Sequence, residues 1–415
     1  MDKSTAHRIV KDTLQNSFDK TKFINLVRNL FNSIDESKAF PKISGQYVKE
    51  IYREYVGSYE RVAKYTDPEG KTVDILIVYL RKPTSLERAR TAQRNFIARY
   101  LDGSRGGQLK DTALIAFIDP NNDDWRLSFV KMEYKFKEGP GGKIKAEKEL
   151  TPAKRYSFLV GINENSHTAQ SQLVPILTEV NKNPSIGDIE KIFNVEKVTK
   201  EFFERYRKQF IRLKEYLDEY IKNEKSQRIR KEFGSKNIDT VVFCKKLLGQ
   251  IVFLYFVQKK GWLGAKKEWG DGDKKYLRTL FDECAKENRN YYNDYIEYLF
   301  YDALNNENRG SADPSFYKKF NCRIPFLNGG LFNEDYDWKN TDIKIANEIF
   351  SDKRDENDEG HGILDLFDLF NFTVKEDEPL EKEVAVDPEM LGKVFENLLE
   401  VKDRKSKGTY YTPRE

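Results

Sequence analysis

The most constraining feature of this sequence is an order of elements near its N-terminal end. Residues 112 to 118 read TALIAFI, a continuous apolar run typical of a strand buried on both faces. Before it, two β-rich runs at 59 to 66 and 72 to 80 flank the turn residues Asp67 to Gly70, which predicts a hairpin. Apolar residues recur at helical spacing from Leu86 to Leu101 in between. This order predicts a mixed sheet with a helix packed against it.

The flanking segments extend the same prediction. FINLVRNLF at residues 23 to 31 has the spacing of an amphipathic helix. WRLSFVKMEYKF at 125 to 136 alternates like a half-solvated strand, and glycine-rich turns lead on to strands at 143 to 150 and 156 to 160. We therefore predict an α/β domain over residues 1–185, with a mixed sheet and few helices.

Beyond Asn183 and Pro184 the strand signals end and helical ones follow. Helices are predicted at 198 to 222, 240 to 259, 277 to 285 and 291 to 304. The apolar stretch IVFLYFV at 251 to 257 is too short to span a membrane and is interpreted as a buried helix segment. We predict an all-α helical connector over residues 186–386, then a last helix from Asp387 to Val401 in a segment 387–415 that begins another domain.

Composition limits the classes of function. The 72 basic and 68 acidic residues give a net charge of only +4, so a nucleic-acid surface would have to be a local patch. Three scattered cysteines and three histidines do not predict a zinc site or a disulfide framework. No signal peptide is evident, so we expect a cytoplasmic protein with no membrane partner. The four tryptophans lie among apolar residues and are expected in cores rather than as base-stacking platforms.

The order helix, hairpin, helix, buried strand is that of the PD-(D/E)xK nuclease core, in which acids on two strands and a lysine hold Mg²⁺ and activate water. At the place of the ExK, this chain has Tyr79-Leu80-Arg81, which predicts a degenerate site. Two alternatives stay open: Asp74 acting with Glu60 on the paired strand, and the ExK formed by Glu133 and Lys135. In these, Asp74 and Glu133 would be the metal ligands. Solvated strand faces are the simpler interpretation.

The predicted helix from Leu86 to Leu101 carries Arg88, Arg90 and Arg94, with Glu87 beside them. Arginines along one helix can bind DNA phosphates. They can equally form ordinary surface ion pairs with neighbouring acids such as Glu87. Both interpretations stay open.

Several segments, among them IPFLNGGLF at 324 to 332 and KGTYYTPRE at 407 to 415, resemble type IIG restriction-modification enzymes and related adenine-specific DNA methyltransferases of phage-defence systems. IPFLNGGLF at 324 to 332 is similar to a YLNGGLF segment of that group, and LLGQIVFLYFVQKKGWL at 247 to 263 is similar to the helix that precedes it. DPEMLGKVFENLL and KGTYYTPRE, both within 387 to 415, resemble the entry to the methyltransferase domain. SLERARTAQRNF, LTPAKRYSFLVG and SHTAQ are similar to the front of one branch, so that the resemblance spans most of the chain.

The resemblance implies a cofactor and a target. In that family the GTYYTP segment packs beside the S-adenosylmethionine pocket, which implies that Tyr410, Tyr411, Thr412 and Pro413 contribute to cofactor binding in a complete enzyme. The family's glycine-rich cofactor loop and its NPPY tetrapeptide, which holds a flipped adenine, do not occur in this sequence. We therefore expect no cofactor in this chain and S-adenosylmethionine in the complete enzyme.

The resulting hypothesis is the N-terminal portion of an adenine-specific DNA methyltransferase, acting as a scaffold and DNA-contact region. Its expected partners are double-stranded DNA and C-terminal methyltransferase and target-recognition domains. One alternative is the Mg²⁺-dependent endonuclease domain of a type IIG enzyme. Another is a protein-protein adaptor that binds other defence proteins.

Overall fold

The computed structural model divides into two compact units. The first contains residues 1–198 and 376–385, and the second contains 199–375 and 386–415. The return of residues 376–385 to the first unit was not expected from the sequence. The residues that the structure describes are 1–81, 86, 90–103, 110–120, 122–132, 136–138, 144–146, 153–179, 183–307, 309, 313–327, 329–355, 358–374, 380–390 and 392.

A mixed sheet of seven strands forms the centre of the first unit. Its strands are β1 (Phe40–Ser44), β2 (Val56–Thr66), β3 (Thr72–Leu80), β4 (Thr112–Ile118), β5 (Asp124–Lys131), β8 (Lys154–Gly161) and β11 (Glu381–Glu383), adjacent in that order. The pairs β3/β4 and β8/β11 are parallel and the other neighbours are antiparallel. Two short strands, β6 (Phe136–Glu138) and β7 (Ile144–Ala146), pair separately. The predicted mixed sheet is confirmed.

The hairpin between β2 and β3 is built as the sequence predicts. The Asp67 carboxylate accepts hydrogen bonds from the backbone amides of Glu69 and Lys71, at 2.9 and 2.8 Å. Gly70 takes the left-handed conformation that the turn requires, with φ of 80°. The turn therefore sets the pairing at Thr66 opposite Thr72.

Helices cover both faces of this sheet. Helix α3 (Arg90–Leu101) packs Phe96 and Ile97 onto one face, against Leu76 and Val78 of β3. On the other face lie α1 (Lys3–Leu14), α2 (Lys20–Leu30), α4 (His167–Thr178) and α5 (Ile186–Ile192). There Leu114 and Leu127 surround the same small gap as residues from α2, α4 and α5. Helix α2 was predicted from the sequence, whereas α1 was not, although its Ala6, Val10 and Leu14 form a buried stripe at a spacing of four.

The second unit is largely helical. Its helices are α6 (Val195–Lys222, which begins in the first unit), α7 (Gln227–Ser235), α8 (Thr240–Lys259), α9 (Tyr276–Lys286), α10 (Trp338–Thr341), α11 (Asn347–Phe350) and α12 (Ile363–Leu369). Two π-helical stretches, Tyr292–Ile296 and Tyr298–Leu304, occupy the region predicted as a helix from 291 to 304. A two-stranded ladder, β9 (Phe316–Tyr317) with β10 (Cys322–Arg323), makes the expectation of a purely α-helical region wrong in this detail.

Helix α8 is long and apolar enough to cross a membrane by length and composition, the one such helix among the described residues. Most of it is buried inside the protein, including Leu247, Ile251 and Leu254. A buried core helix meets the same criteria of length and composition. The prediction of a buried helix segment is therefore confirmed for this stretch.

Candidate functional site

Asp74 lies at the centre of a buried polar cluster on the α3 face of the sheet. Its side chain is fully buried near the start of β3. Oδ2 accepts hydrogen bonds from the Tyr100 hydroxyl at 2.5 Å and from Nη1 of Arg61 at 2.9 Å, and Nζ of Lys110 lies 3.1 Å away. Adjacent β2 supplies Arg61, the last turn of α3 supplies Tyr100, and Lys110 stands just before β4. Three neighbouring elements thus converge on one carboxylate.

Electrostatics keep this carboxylate ionised. Burial acts to raise the pKa of Asp74, but the hydrogen bond from Tyr100 and the charges of Lys110 and Arg61 outweigh it, so the pKa lies below its ordinary value. Burial raises the pKa of the Tyr100 phenol, and the negative charge of Asp74 raises it further, so the phenol stays protonated and donates. The second oxygen, Oδ1, is buried and has no hydrogen-bond partner within the described part of the chain.

A pocket of about 260 Å³ opens beside this cluster. Tyr100 and Lys110, which contact Asp74, also form part of its wall. The rest of the wall is mostly aromatic, and the described residues that line it include no carboxylate. Its lining side chains are Phe40, Ile43, Tyr47, Lys49, Tyr52, Tyr59, Phe96, Arg99, Tyr100 and Lys110, together with Gly103.

Glu60, the proposed partner of Asp74, points to the opposite face of the sheet. It accepts hydrogen bonds from Nζ of Lys20 on α2 at 2.7 Å and from the Tyr79 hydroxyl at 3.0 Å. Because side chains alternate along β3, Tyr79 and Asp74 lie on different faces. Burial and the charge of Glu60 raise the pKa of Tyr79 to about 12. A joint metal site of Asp74 and Glu60 is therefore not formed.

A β-bulge in β2 is the cause. Pairing continued without interruption from Thr66 opposite Thr72 would set Glu60 opposite Val78, on the same face as Asp74. The register shifts by one between Arg61 and Ala63, and Glu60 pairs with Ile77 instead. A shift of one residue moves a side chain to the other face.

The other nuclease candidates, Glu133 and Lys135, lie outside the described residues, so that alternative stays a prediction. Among the residues that the structure does describe, no group of three or more His, Cys, Asp or Glu side chains could hold a metal ion. The cofactor candidates Tyr410, Tyr411, Thr412 and Pro413 also lie outside the described residues.

The predicted DNA-contacting arginines of α3 are largely inside the domain. Arg90 and Arg94 are 7% and 8% exposed. Nε of Arg90 donates to Oε1 of Glu381 at 2.7 Å, and Nη1 of Arg94 lies 3.9 Å from Oε2 of the same carboxylate. Arg88 lies outside the described residues. Phosphate binding by these arginines stays a prediction, and it would require Arg90 to leave Glu381.

Glu381 belongs to a larger buried ion cluster that the sequence analysis missed. Arg155 donates to Oε1 of Glu381 at 2.5 Å, and Arg126 donates to Oε2 of Glu383 at 2.8 Å. Both glutamates come from β11, whose three residues form the edge of the sheet. Burial lowers the pKa of Arg155 below its ordinary value, although Glu381 opposes this. Residues 381 to 383 read EKE, which favours a solvent-exposed segment. The only sequence signal for a strand was an alternation that continues into the apolar residues after them.

Two of the four tryptophans contradict the expectation of core positions. Trp125 and Trp338 are buried, with 1% and 6% of their surface exposed. Trp262 and Trp269 are 38% and 49% exposed. Both lie in the segment that follows α8, in the second unit.

Comparison with known proteins indicates a distant relationship to restriction-modification enzymes. The relative found is a protein of Methanocaldococcus jannaschii named as a type II restriction enzyme and methyltransferase, and it is 26% identical to this chain over 239 residues. The alignment covers 53% of this chain and 18% of the relative's length. No family model and no solved structure matches the sequence.

Proposed function

We propose that this chain is the scaffold and DNA-contact region of an adenine-specific DNA methyltransferase of a restriction-modification or phage-defence system. The similarity to a protein named for both restriction and methylation supports the general role. The resemblance of 324 to 332 and 387 to 415 to type IIG enzymes supports the finer one. In this proposal the segment with Tyr410, Tyr411, Thr412 and Pro413 contributes to S-adenosylmethionine binding in the complete, cytoplasmic enzyme.

The ion pairs of Asp74 are the observation that carries this proposal in preference to DNA cleavage. The hairpin β2/β3, helix α3 and the parallel strand β4 follow the order of a PD-(D/E)xK core. At the acidic position of that order, two cations and a phenol already surround one oxygen of the carboxylate. A Mg²⁺ ion bound at that oxygen would have to displace Arg61 or Lys110. We infer a degenerate nuclease core that contacts DNA without cutting it.

The pocket beside Asp74 supports DNA as the partner. Lys49, Arg99 and Lys110 contribute cationic groups to its lining; Arg99 also pairs with Asp102 at 3.2 Å, and Lys110 with Asp74 at 3.1 Å. Because DNA affinity comes largely from cations that neutralise phosphates, such a rim suits a DNA backbone. The fold supplies the rigid support that a contact region requires.

DNA binding is tested by fluorescence anisotropy of a labelled duplex over a range of salt concentrations. We expect binding that weakens with salt. A plot of the logarithm of the association constant against the logarithm of the salt concentration should have a slope of about −0.9 for each phosphate contact. The double variant Lys49→Glu and Arg99→Glu is expected to bind more weakly with a shallower slope. Lys382→Glu, a single charge reversal at an exposed position of β11 outside the pocket, should bind like the parent. Absence of duplex binding even at low salt would reject the proposal in favour of a protein-protein adaptor.

An active Mg²⁺ nuclease is the second candidate, and the unpartnered Oδ1 of Asp74 favours it. Plasmid DNA is incubated with the chain and Mg²⁺ or Mn²⁺, and nicking is followed on agarose gels. We expect no cleavage. Cleavage that is lost in Asp74→Asn, with circular dichroism unchanged and with Glu60→Gln still active, would establish the nuclease. Lys135→Ala tests the second nuclease alternative in the same assay.

A further inference from the structure

The segment between α8 and α9, residues 260 to 275, holds two exposed tryptophans on a tightly closed loop. The backbone oxygen of Gly261 accepts hydrogen bonds from the amides of Gly270 and Gly272, both at 3.0 Å. Trp262 directly follows Gly261 in the sequence, and Trp269 directly precedes Gly270. The closure therefore brings the backbones of the two tryptophans close together.

Glycine is required for this closure. A Cβ at Gly272 would collide with the backbone oxygens of Leu263 and Gly261. Gly261 and Gly270 have φ of 68° and 108°, a region that side-chain-bearing residues rarely adopt. The loop thus has backbone packed against backbone at its base, which leaves little freedom for rearrangement.

Hydrogen bonds hold the rest of the loop. The Asp271 carboxylate accepts from the backbone amides of Lys266, Lys267 and Glu268, at 2.8, 2.9 and 3.1 Å. These bonds lower the pKa of Asp271. Ala265 exchanges two backbone hydrogen bonds with Arg323, at 3.2 and 2.8 Å. The preformed loop therefore holds the two indole side chains in positions exposed to solvent.

The surroundings of the indoles are cationic. Five lysines occur between 260 and 275 against three acids, of which Glu268 is exposed. Of those acids, Asp271 binds backbone amides, and Asp273 accepts from the amide of Lys275 and the hydroxyl of Thr279. The exposed lysines are Lys260, Lys266, Lys267, Lys274 and Lys275. Nζ of Lys260 lies 4.7 Å from the centre of the Trp262 ring.

We propose that this loop, the Trp262–Trp269 loop, is a binding surface for unpaired nucleotides of DNA. Exposed aromatic rings among lysines provide the two contacts that single-stranded nucleic acid needs, a flat surface for a base and cations for its phosphates. A rigid loop presents both without an ordering step on binding. The proposal extends the proposed DNA contact to the second unit and rests on DNA being the partner.

The buried positions of Trp125 and Trp338 make the test direct, because changes in tryptophan emission on quenching report mainly Trp262 and Trp269. The full chain is titrated with an oligothymidylate and its fluorescence is followed. We expect quenching, and a loss of affinity of roughly tenfold for Trp269→Ala or Trp262→Ala, since base stacking contributes about 1 to 3 kcal/mol per base. Trp269→Phe, which keeps a ring, should restore most of the affinity.

Val242→Ala removes another exposed apolar side chain of the same unit, 55% exposed on α8, and should bind like the parent. Reversing the charge of Lys274 and Lys275 should weaken binding and reduce its salt dependence. Oligothymidylate affinity that is unchanged in both alanine variants, with duplex binding intact, would overturn this inference and leave the proposed function standing. Absence of binding to both oligothymidylate and duplex would reject both. Emission that shifts to shorter wavelength with protein concentration alone would overturn it in favour of a protein contact.

Discussion

One extra residue in β2, between Arg61 and Ala63, places the carboxylates of Glu60 and Asp74 on opposite faces of the sheet. The sequence was sufficient to predict the hairpin and to select Asp74 and Glu60. Their pairing failed because the bulge at Arg61 and Ala63 moves Glu60 to the face covered by α2. Nothing in the run YERVAKYT marks that extra residue. Sequence alternation predicts faces only where the register is uninterrupted.

Glu381 shows that local sequence pattern also fails to predict where a charged side chain is buried. Residues 381 to 383 carry charges that favour a solvent-exposed interpretation, yet Glu381 is 3% exposed between Arg90 and Arg155. Long-range partners nearly 300 residues away cannot be deduced from local pattern. The acids on β11 are stable in the interior because these arginines compensate their negative charges.

We predict that Glu381→Gln destabilises the first unit by about 3 to 5 kcal/mol, because it leaves buried guanidinium groups without their counter-charge. Urea unfolding followed by circular dichroism measures the change. Lys382→Gln, on the same strand and exposed, should unfold like the parent within about 0.5 kcal/mol. Equal midpoints for the two variants would mean that Glu381 contributes no net stability.

At the scale of elements, helices and strands were predictable where their period is long and regular. Helix α8 begins and ends where the sequence predicts, and β3 and β4 match as well. The stretch from 291 to 304 was predicted as a helix but its turns are π-helical, with one more residue in each hydrogen-bonded turn. That widening frequently marks functional positions. It leaves no signal in residue spacing.

Glu297 lies between the two π-helical stretches and is fully buried. Its carboxyl group accepts hydrogen bonds from the Tyr336 hydroxyl at 2.5 Å and from Nδ2 of Asn293 at 3.0 Å. Burial raises its pKa from 4.5 to about 8, although these hydrogen bonds oppose the shift. The native state therefore retains a proton that the unfolded state loses between these two pH values.

The free energy of unfolding should accordingly fall as pH rises from about 4.5 to about 8. Glu297→Gln, neutral at every pH, should lose this component and gain stability relative to the parent by at least about 1 kcal/mol between pH 5 and pH 8. Urea titrations at the two pH values measure it. Glu283→Gln, at an exposed position, serves as the control. Parallel pH profiles for Glu297→Gln and the parent would contradict the buried, protonated carboxyl.

At the scale of the whole molecule, the sequence predicted a mixed sheet followed by a helical region and could not predict that the chain returns to the sheet. A three-residue strand separated from its partner β8 by more than 200 residues has no local signal. The return has a physical reason, since β8 would otherwise have an unpaired edge, and the buried Arg90, Arg126 and Arg155 would lack their counter-charges.

A fragment of residues 1–198 should therefore be incomplete. Without β11, Arg90, Arg126 and Arg155 lack Glu381 and Glu383, and the backbone groups of β8 that face β11 lose their partners. We expect this fragment to unfold at a lower temperature than the first unit of the full chain and to aggregate with time.

A synthetic peptide of residues 376–385, added in trans, should raise the melting temperature in proportion to the logarithm of its concentration above its Kd. The same peptide with glutamine at 381 and 383 keeps the strand but removes the charges, so it should have little effect. If the fragment alone melts at the same temperature as the first unit of the full chain, β11 does not stabilise the sheet. If both peptides raise the melting temperature equally, edge pairing rather than charge holds β11 in place.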